Sequence, residues 1–179
     1  MNRKAAVSAS EYVVLATLFL AAGLIGINQR MAFATSDNSD GDEEDRCMES
    51  ANKISDDADG HASSNVCEIS LARGSPTITL LGQEANDLTE NEFKYQDASA
   101  SGSDNVLFIA EIQLHQSEVD SVEQSLMDRD WEVIAIHNHE LHEDPLMIFL
   151  HAQKSDNLDG LLQDIHDVLN DDTSCDCIS

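Results

Sequence analysis

The sequence predicts an α+β fold, in which a mostly antiparallel sheet carries two helices on one face. Three segments alternate apolar and polar residues as strands do, and two repeat apolar residues at helical spacing. Their order is strand, helix, strand, strand, helix, at residues 105–114, 117–130, 131–139, 146–153 and 156–169. This β-α-β-β-α order fits a ferredoxin-like sandwich, with the first two strands parallel through a right-handed crossover and the third between them.

The first strand, 105–114, carries the clearest alternation. Its polar positions include Glu111, which therefore points away from the helices. Ser117 can cap the first helix, and the second helix is expected from residue 156 onward. The expected helix-facing residues of the strand are Val106, Phe108, Ala110, Ile112 and Leu114.

The N-terminal residues, 1–34, have the pattern of a secretory signal peptide. Two basic residues precede an apolar run from Val13 to Ile27, and Ala32-Phe33-Ala34 is a small-x-small cleavage triplet. The run is short for a spanning helix, which needs roughly 20 residues. We expect cleavage after Ala34, with an uncleaved N-terminal anchor as the alternative.

Composition predicts the nature of the segments on either side of the folded domain. Residues 35–64 are rich in Ser, Asp, Glu and Gly, which predicts an acidic disordered linker. The folded domain is expected over 65–170, with an extra N-terminal hairpin formed by 66–71 and 77–81 and a short strand at 92–96. Residues 171–179 would form an acidic Cys-x-Cys tail.

The charge is extreme, with 35 acidic and 9 basic residues and a formal net charge of −26. Nucleic acid is excluded as an expected partner, because phosphate binding needs clustered Lys and Arg. A solvated acidic surface, as in proteins of salty habitats, is favoured over a dedicated binding site for cations.

Four cysteines fit an exported protein with two disulfides. A bridge between two cysteines one residue apart would be tight. Two arrangements therefore stay open: pairing of the tail cysteines with the other two, or one bridge between Cys47 and Cys67 with a free Cys-x-Cys that could bind soft metals. The disulfide candidates are Cys47, Cys67, Cys175 and Cys177.

Four of the seven histidines lie in residues 136–152, IHNHELHEDPLMIFLHA. If Ile134 and Ile136 face the helices, alternation places His137 and His139 on the face of Glu111, and His151 joins them from the last strand. Neutral imidazoles and a carboxylate suit Zn, Cu, Fe or Mn. The metal candidates are Glu111, His137, His139 and His142, with Asn138 and Glu140 as groups that orient the ligands.

His151 is ranked second among these candidates. A tight hairpin would put His137 opposite Met147, which leaves His151 roughly 13 Å along the ladder. Two other interpretations compete with a metal site. The histidines can be structural groups hydrogen-bonded to the backbone, or one of them can act without metal as a general base beside a carboxylate.

Two resemblances bear on function. Lys4-Ala5-Ala6, followed by Val7 to Tyr12 with Glu11, resembles the processing region of type IV-like pilins, which retain the apolar helix for assembly. Residues 66–169 contain four further motifs: Ala110-Glu111-Ile112-Gln113-Leu114, Val133-Ile134-Ala135-Ile136-His137-Asn138-His139, Glu143-Asp144-Pro145 and Phe149-Leu150-His151. With these motifs, the segment resembles the LppY/LpqO-like proteins of the DUF1259 group.

The LppY/LpqO resemblance implies an exported or lipoprotein-type envelope protein with no assigned activity. The recurring polar residues would be Glu111, His137, Asn138, His139 and His151. This chain departs from the pattern: Leu146 replaces an arginine after Pro145, Ala110 replaces a glycine, and no lipobox cysteine follows the apolar run.

We therefore expect a secreted, periplasmic or cell-surface domain that binds a transition metal or small ligand through the Glu and His face. Enzyme activity is left open. The alternative is a structural or assembly module, pilin-like, whose histidines only pack. The protein would contact a membrane only through an uncleaved N-terminal segment. The sequence does not identify a protein partner.

Overall fold

The fold is α+β, as the sequence predicts. The computed structural model describes residues 39–86, 89–96 and 105–178, so the expected signal segment 1–34 lies outside the described residues. Within these ranges three helices accompany a six-stranded and a three-stranded sheet. The elements are α1 Ser39–Ile54, β1 Asp59–Ser63, β2 Val66–Leu71, β3 Thr79–Leu80, β4 Gln83–Glu84, β5 Asn91–Gln96, β6 Asn105–His115, α2 Val119–Asp128, β7 Glu132–His137, β8 Glu143–Asp144, β9 Met147–Asn157 and α3 Leu158–Asp172.

The predicted β-α-β-β-α arrangement is confirmed for β6, α2, β7, β9 and α3. The large sheet has the order β1-β2-β5-β6-β9-β7. Both β6 and β7 pair antiparallel with β9, so they are parallel to each other with β9 between them. The only extra strand in this unit is the two-residue β8, which pairs with β3 in the small sheet.

The core lies between the large sheet and the helices. The five predicted inward residues of β6 are all buried, and they meet Val122 and Leu126 of α2. Phe108 packs edge-on against Trp131 with ring centroids 5.7 Å apart. Each such side chain contributes about 1.5–3 kcal/mol through its burial.

Residues 35–64 were expected to be a disordered linker, and this prediction is wrong for the described residues 39–63. They form α1 and β1. The composition is polar on average, but Cys47, Ala51 and Ile54 lie four and three residues apart, so one helical face is apolar and fully buried. A narrow stripe of this kind is enough to dock a helix whose other faces are acidic.

The predicted N-terminal hairpin has the wrong partner. β2 pairs with β1 across Ser64 and Asn65, whose φ angles are 54° and 65°, and on its other side with β5. Residues 79–80 instead form β3 of the small sheet. The segment after β2 is directed elsewhere by buried Arg73, which donates to the Gln113 carbonyl at 2.6 Å.

The cysteines pair locally, Cys47 with Cys67 and Cys175 with Cys177, at Cα distances of 5.4 and 5.2 Å. The first bridge is one of the open alternatives. The second differs from the expectation that this spacing is too tight: the chain bends at Asp176, and the Cα separation lies in the usual range for a disulfide. Cys177 is buried, and its carbonyl accepts the Ser55 hydroxyl at 2.6 Å, so the tail is packed on the domain.

Within the described ranges, no helix combines the length and the apolar character needed to cross a membrane.

A candidate metal site formed by three histidines

The sheet face opposite the helices gathers the polar residues that alternation predicts. Glu111 of β6 lies opposite His151 of β9, and His137 of β7 lies opposite Phe149 of β9. Cross-strand neighbours share a face, with Cβ atoms about 4.5–5.5 Å apart. The register therefore places this carboxylate and these imidazoles side by side.

Three histidines converge: His137, His139 and His151. Each offers one ring nitrogen, and these nitrogens all lie within 4.8 Å of one another. Nitrogens bound to one ion at 2.0–2.1 Å are roughly 3.3 Å apart in a tetrahedral site. Small side-chain rotations would bring the three nitrogens to that separation.

The second rank given to His151 is therefore wrong. The estimate of 13 Å assumed a tight hairpin, whereas residues 138–146 separate β7 from β9 and include β8. The longer connection pairs His137 with Phe149 instead of Met147, so His151 lies only two residues along β9 from the partner of His137. As a result the His151 ring centroid is 4.8 Å from that of His137.

His151 is the best-prepared ligand. Its Nδ1 lies 3.4 Å from a Glu111 carboxylate oxygen, while its Nε2 is buried and has no hydrogen-bond partner. Burial lowers the pKa of His151, and although Glu111 opposes this, His137 and His139 lower it further. A neutral imidazole with one nitrogen beside a carboxylate and the other unpartnered is the form that coordinates a metal.

Glu111 stands beside the cluster. Its carboxylate oxygens are 3.4 Å from His151 and 3.8 Å from the Nε2 of His139. It is not one of the residues whose ligand atoms converge. The position suits a carboxylate that orients ligands, a role the sequence analysis gave to Asn138 and Glu140.

The other two rings are held by stacking. His139 lies flat on Phe149, with centroids 3.7 Å apart and planes 2° from parallel. Phe149 is itself buried against Ile78 and Met147. The ring of His137 stacks on that of His139, with centroids 5.0 Å apart, so the buried apolar side chains that support His139 also support His137 through it.

Three other predicted site residues lie in the turn. His142 is exposed and is not part of the converging group. The Asn138 side chain donates to the Glu140 carbonyl at 3.4 Å, and the Asn138 carbonyl lies 3.4 Å from Nδ1 of His137. Their recorded contacts thus stabilise the turn itself.

Two residues beside the cluster were missed as site residues, Gln113 and Glu143. Both are buried; the two amide atoms of Gln113 and one carboxylate oxygen of Glu143 have no hydrogen-bond partner. Burial raises the pKa of Glu143, and the charge of Glu140 raises it further. The hydrogen bond from the Met147 amide and the nearby His139 partly oppose this rise. Among the described residues, every buried side-chain nitrogen or oxygen atom without a hydrogen-bond partner belongs to these two residues or to His151. The alternation of β6 already puts Gln113 on this face.

Of the predicted helix-facing pair on β7, Ile136 lies opposite the core residue Leu150 and is on the helix side, as predicted, whereas Ile134 lies in the bulge between Val133 and Ala135. The side chains of Ile134 and Ile136 are 48% and 42% exposed. β7 is an edge strand of the described sheet, and the bulge makes Val133 the residue that packs on the core.

A family model described as Domain of Unknown Function (DUF1259) matches residues 53–171. Comparisons with curated proteins and with solved structures give no match.

Proposed function

The chain belongs to the DUF1259 family, and from this premise we propose that its domain binds one transition-metal ion through His137, His139 and His151. The observation that carries the proposal is the convergence of one ring nitrogen from each of the three histidines within 4.8 Å. It is supported by His151 Nε2, which is buried and has no hydrogen-bond partner. A buried polar atom without a partner costs about 1–3 kcal/mol. Metal coordination would remove that cost.

The ligand set favours Zn or Cu over Mn, because neutral imidazoles suit the former and oxygen ligands suit the latter. Three protein ligands are fewer than the four of a closed structural zinc site. His137 and His139 are on the solvent side, so water or a small ligand could occupy the remaining position. Such an ion would supply Lewis-acid chemistry.

Glu111 is assigned a supporting role. Accepting the Nδ1 proton of His151 would fix the tautomer in which Nε2 is free to coordinate. The 3.4 Å separation and the shared face support this assignment.

We also propose that the protein works outside the cytoplasm as an LppY/LpqO-like envelope protein. Two disulfides are typical of an oxidising compartment. The signal-like N-terminal sequence supports export to the periplasm, cell surface or medium. Nucleic acid is not a proposed partner, because the net charge of −26 would repel phosphate.

The test is a Zn(II) titration in competition with a chromogenic chelator. Wild type is compared with His151→Ala and with His142→Ala, which removes an exposed imidazole from the same part of the chain. We expect one bound ion in wild type and in His142→Ala, and at least roughly tenfold weaker binding in His151→Ala, given what losing ligands or their supports costs.

Equal affinity in all three proteins would refute the site, and so would the absence of saturable binding in wild type. Circular dichroism of each variant shows whether a loss of binding comes from a loss of fold.

A further inference from the structure

A groove runs between α2 and the edge strand β7, away from the histidines. It has a volume of about 540 Å³ and is lined by Glu123, Met127, Asp130, Trp131, Glu132 and Val133. One wall is helix and the other is strand. A groove of this form can hold an extended segment that pairs with the strand edge and packs side chains on the helix.

The edge itself is open in the described part of the chain. β7 pairs only with β9, so the backbone groups on its other side have no strand partner there. Natural proteins usually blunt such edges with charge or proline. In this strand Glu132 is exposed, but so are two large apolar side chains, Ile134 and Ile136. Met127 on the facing helix is 54% exposed.

The charge around the groove indicates the partner's chemistry. Glu123, Asp130 and Glu132 line it, and the whole chain carries −26. Two basic side chains adjoin the lining: Arg129 precedes Asp130 in the sequence, and Lys154 Nζ lies 6.0 Å from the Trp131 ring centroid. Both are paired with Asp164, at 3.9 and 3.1 Å. A basic segment would therefore be attracted to the groove and an acidic one repelled.

We propose that this groove is a docking site for an extended peptide segment that alternates basic and apolar residues and adds a strand to β7. The apolar residues cover Met127 and Ile136, and the basic residues meet the acidic lining. The inference does not depend on metal binding and concerns a different surface.

Trp131 gives a direct readout, because it lines the groove and is the only tryptophan of the chain. The full-length protein, prepared without metal, is titrated with acetyl-Lys-Val-Lys-Val-Lys-Val-amide while Trp131 emission is recorded. We expect a saturable change that weakens as salt rises. The acidic peptide acetyl-Glu-Val-Glu-Val-Glu-Val-amide, and a version of the basic peptide with proline at its centre, should bind at least roughly tenfold more weakly, a difference of about 1.4 kcal/mol.

Ile136→Lys should abolish the response, since it places a charge on the pairing edge. Leu107→Lys is the matched control, because it makes the same kind of change at a position that is 49% exposed on β6, a strand that is paired on both sides. Far-UV circular dichroism checks the fold of both variants.

Three results would overturn the proposal: no saturable change in Trp131, equal binding of the acidic peptide, or equal loss in the two variants. A peptide-free dimer in sedimentation that Ile136→Lys dissociates would also overturn it, because the occupant would then be a second copy of the chain.

Discussion

At the scale of single residues, three different contacts hold the imidazoles of the candidate site. Glu111 lies beside His151, Phe149 supports His139 face to face, and His137 stacks on both other rings. Because protein groups position all three rings, metal binding would require little additional ordering of side chains. The site is therefore largely preorganised.

Replacing Glu111 by Gln tests its supporting role. The amide keeps the size but removes the charge that strengthens the contact with His151, so we expect metal affinity to fall by about 10–100-fold. Glu92→Gln is the control, because Glu92 lies directly opposite Glu111 on β5 and carries the same charge. Competition titration measures both; an equal loss in the two would indicate a general charge effect instead of orientation.

A second residue-scale feature is the buried pair of Arg73 and Glu118. The guanidinium donates to the carboxylate at 2.6 and 2.7 Å, and Ser174 of the tail donates its backbone N–H to the same carboxylate at 2.7 Å. Burial alone would raise the pKa of Glu118. Hydrogen bonds from Ser174 and the His115 amide, with the charge of Arg73, lower it overall.

This lowered pKa predicts how stability depends on pH. A carboxyl whose pKa is depressed by folding stabilises the protein above its unfolded value, near 4.5, and loses that contribution as pH falls through the folded value. Glu118→Gln should cost about 3–5 kcal/mol at pH 7, because it leaves Arg73 buried without a counter-charge. The difference from wild type should shrink below pH 4.

Urea unfolding at pH 7 and at pH 3 measures this difference. Glu68→Gln, at an exposed carboxylate paired with Lys94, should change stability by about 1 kcal/mol or less. A Glu118→Gln cost that is the same at both pH values would contradict the linkage.

At the scale of elements, α1 is attached to the sheet by the Cys47–Cys67 bridge and by its apolar face. Gly60 of β1 lies directly under the helix: a Cβ there would come within 2.6 Å of the Cys47 carbonyl oxygen. Helix and hairpin are thus in backbone contact. The large sheet extends to β1 because this helix covers it.

Replacing both Cys47 and Cys67 by Ser should therefore destabilise the protein by about 3 kcal/mol, the loop-closure value for roughly 20 residues. The double change at Cys175 and Cys177, which are only two residues apart, should cost clearly less. Denaturant unfolding compares the two variants. A larger loss of unfolding free energy in the Cys175 and Cys177 variant would contradict loop-closure entropy as the source of the stability that the first bridge provides.

The connection 138–146 is the other decisive element. β8 pairs with β3, and the Glu143 carboxylate accepts the Met147 amide at 3.1 Å, so the turn that carries His139 is fixed to the small sheet. This pairing explains why the histidines meet although β7 and β9 are not joined by a tight hairpin.

At the scale of the whole molecule, 35 acidic residues against 9 basic ones produce self-repulsion in the compact state. We expect the melting temperature to rise with salt, since the screening length falls from about 10 Å at 0.1 M to about 3 Å at 1 M. Chloride and sulfate compared at equal ionic strength separate screening from salting-out. A melting temperature that is flat or falls in chloride would contradict this account.

The same scale shows what sequence could predict. The order from β6 to α3 and the shared face of Glu111, His137 and His151 follow from periodicities of 2 and 3.6. The average composition of residues 35–64 did not predict α1, because only three apolar residues among many acidic ones determine how this helix packs. The register could not be predicted, because the pairing of β8 with β3 and of His137 with Phe149 depends on distant contacts. This register brings His151 into the cluster.

The most direct test of the central claim is the metal content of tag-free protein measured by mass spectrometry. Wild type is compared with His137→Ala/His139→Ala and with His61→Ala/His115→Ala, which removes two histidines outside the cluster. The account predicts close to one Zn or Cu per chain in wild type and in the second variant, and almost none in the first. Metal retained by the first variant, or no metal in wild type even after incubation with Zn(II), would contradict it.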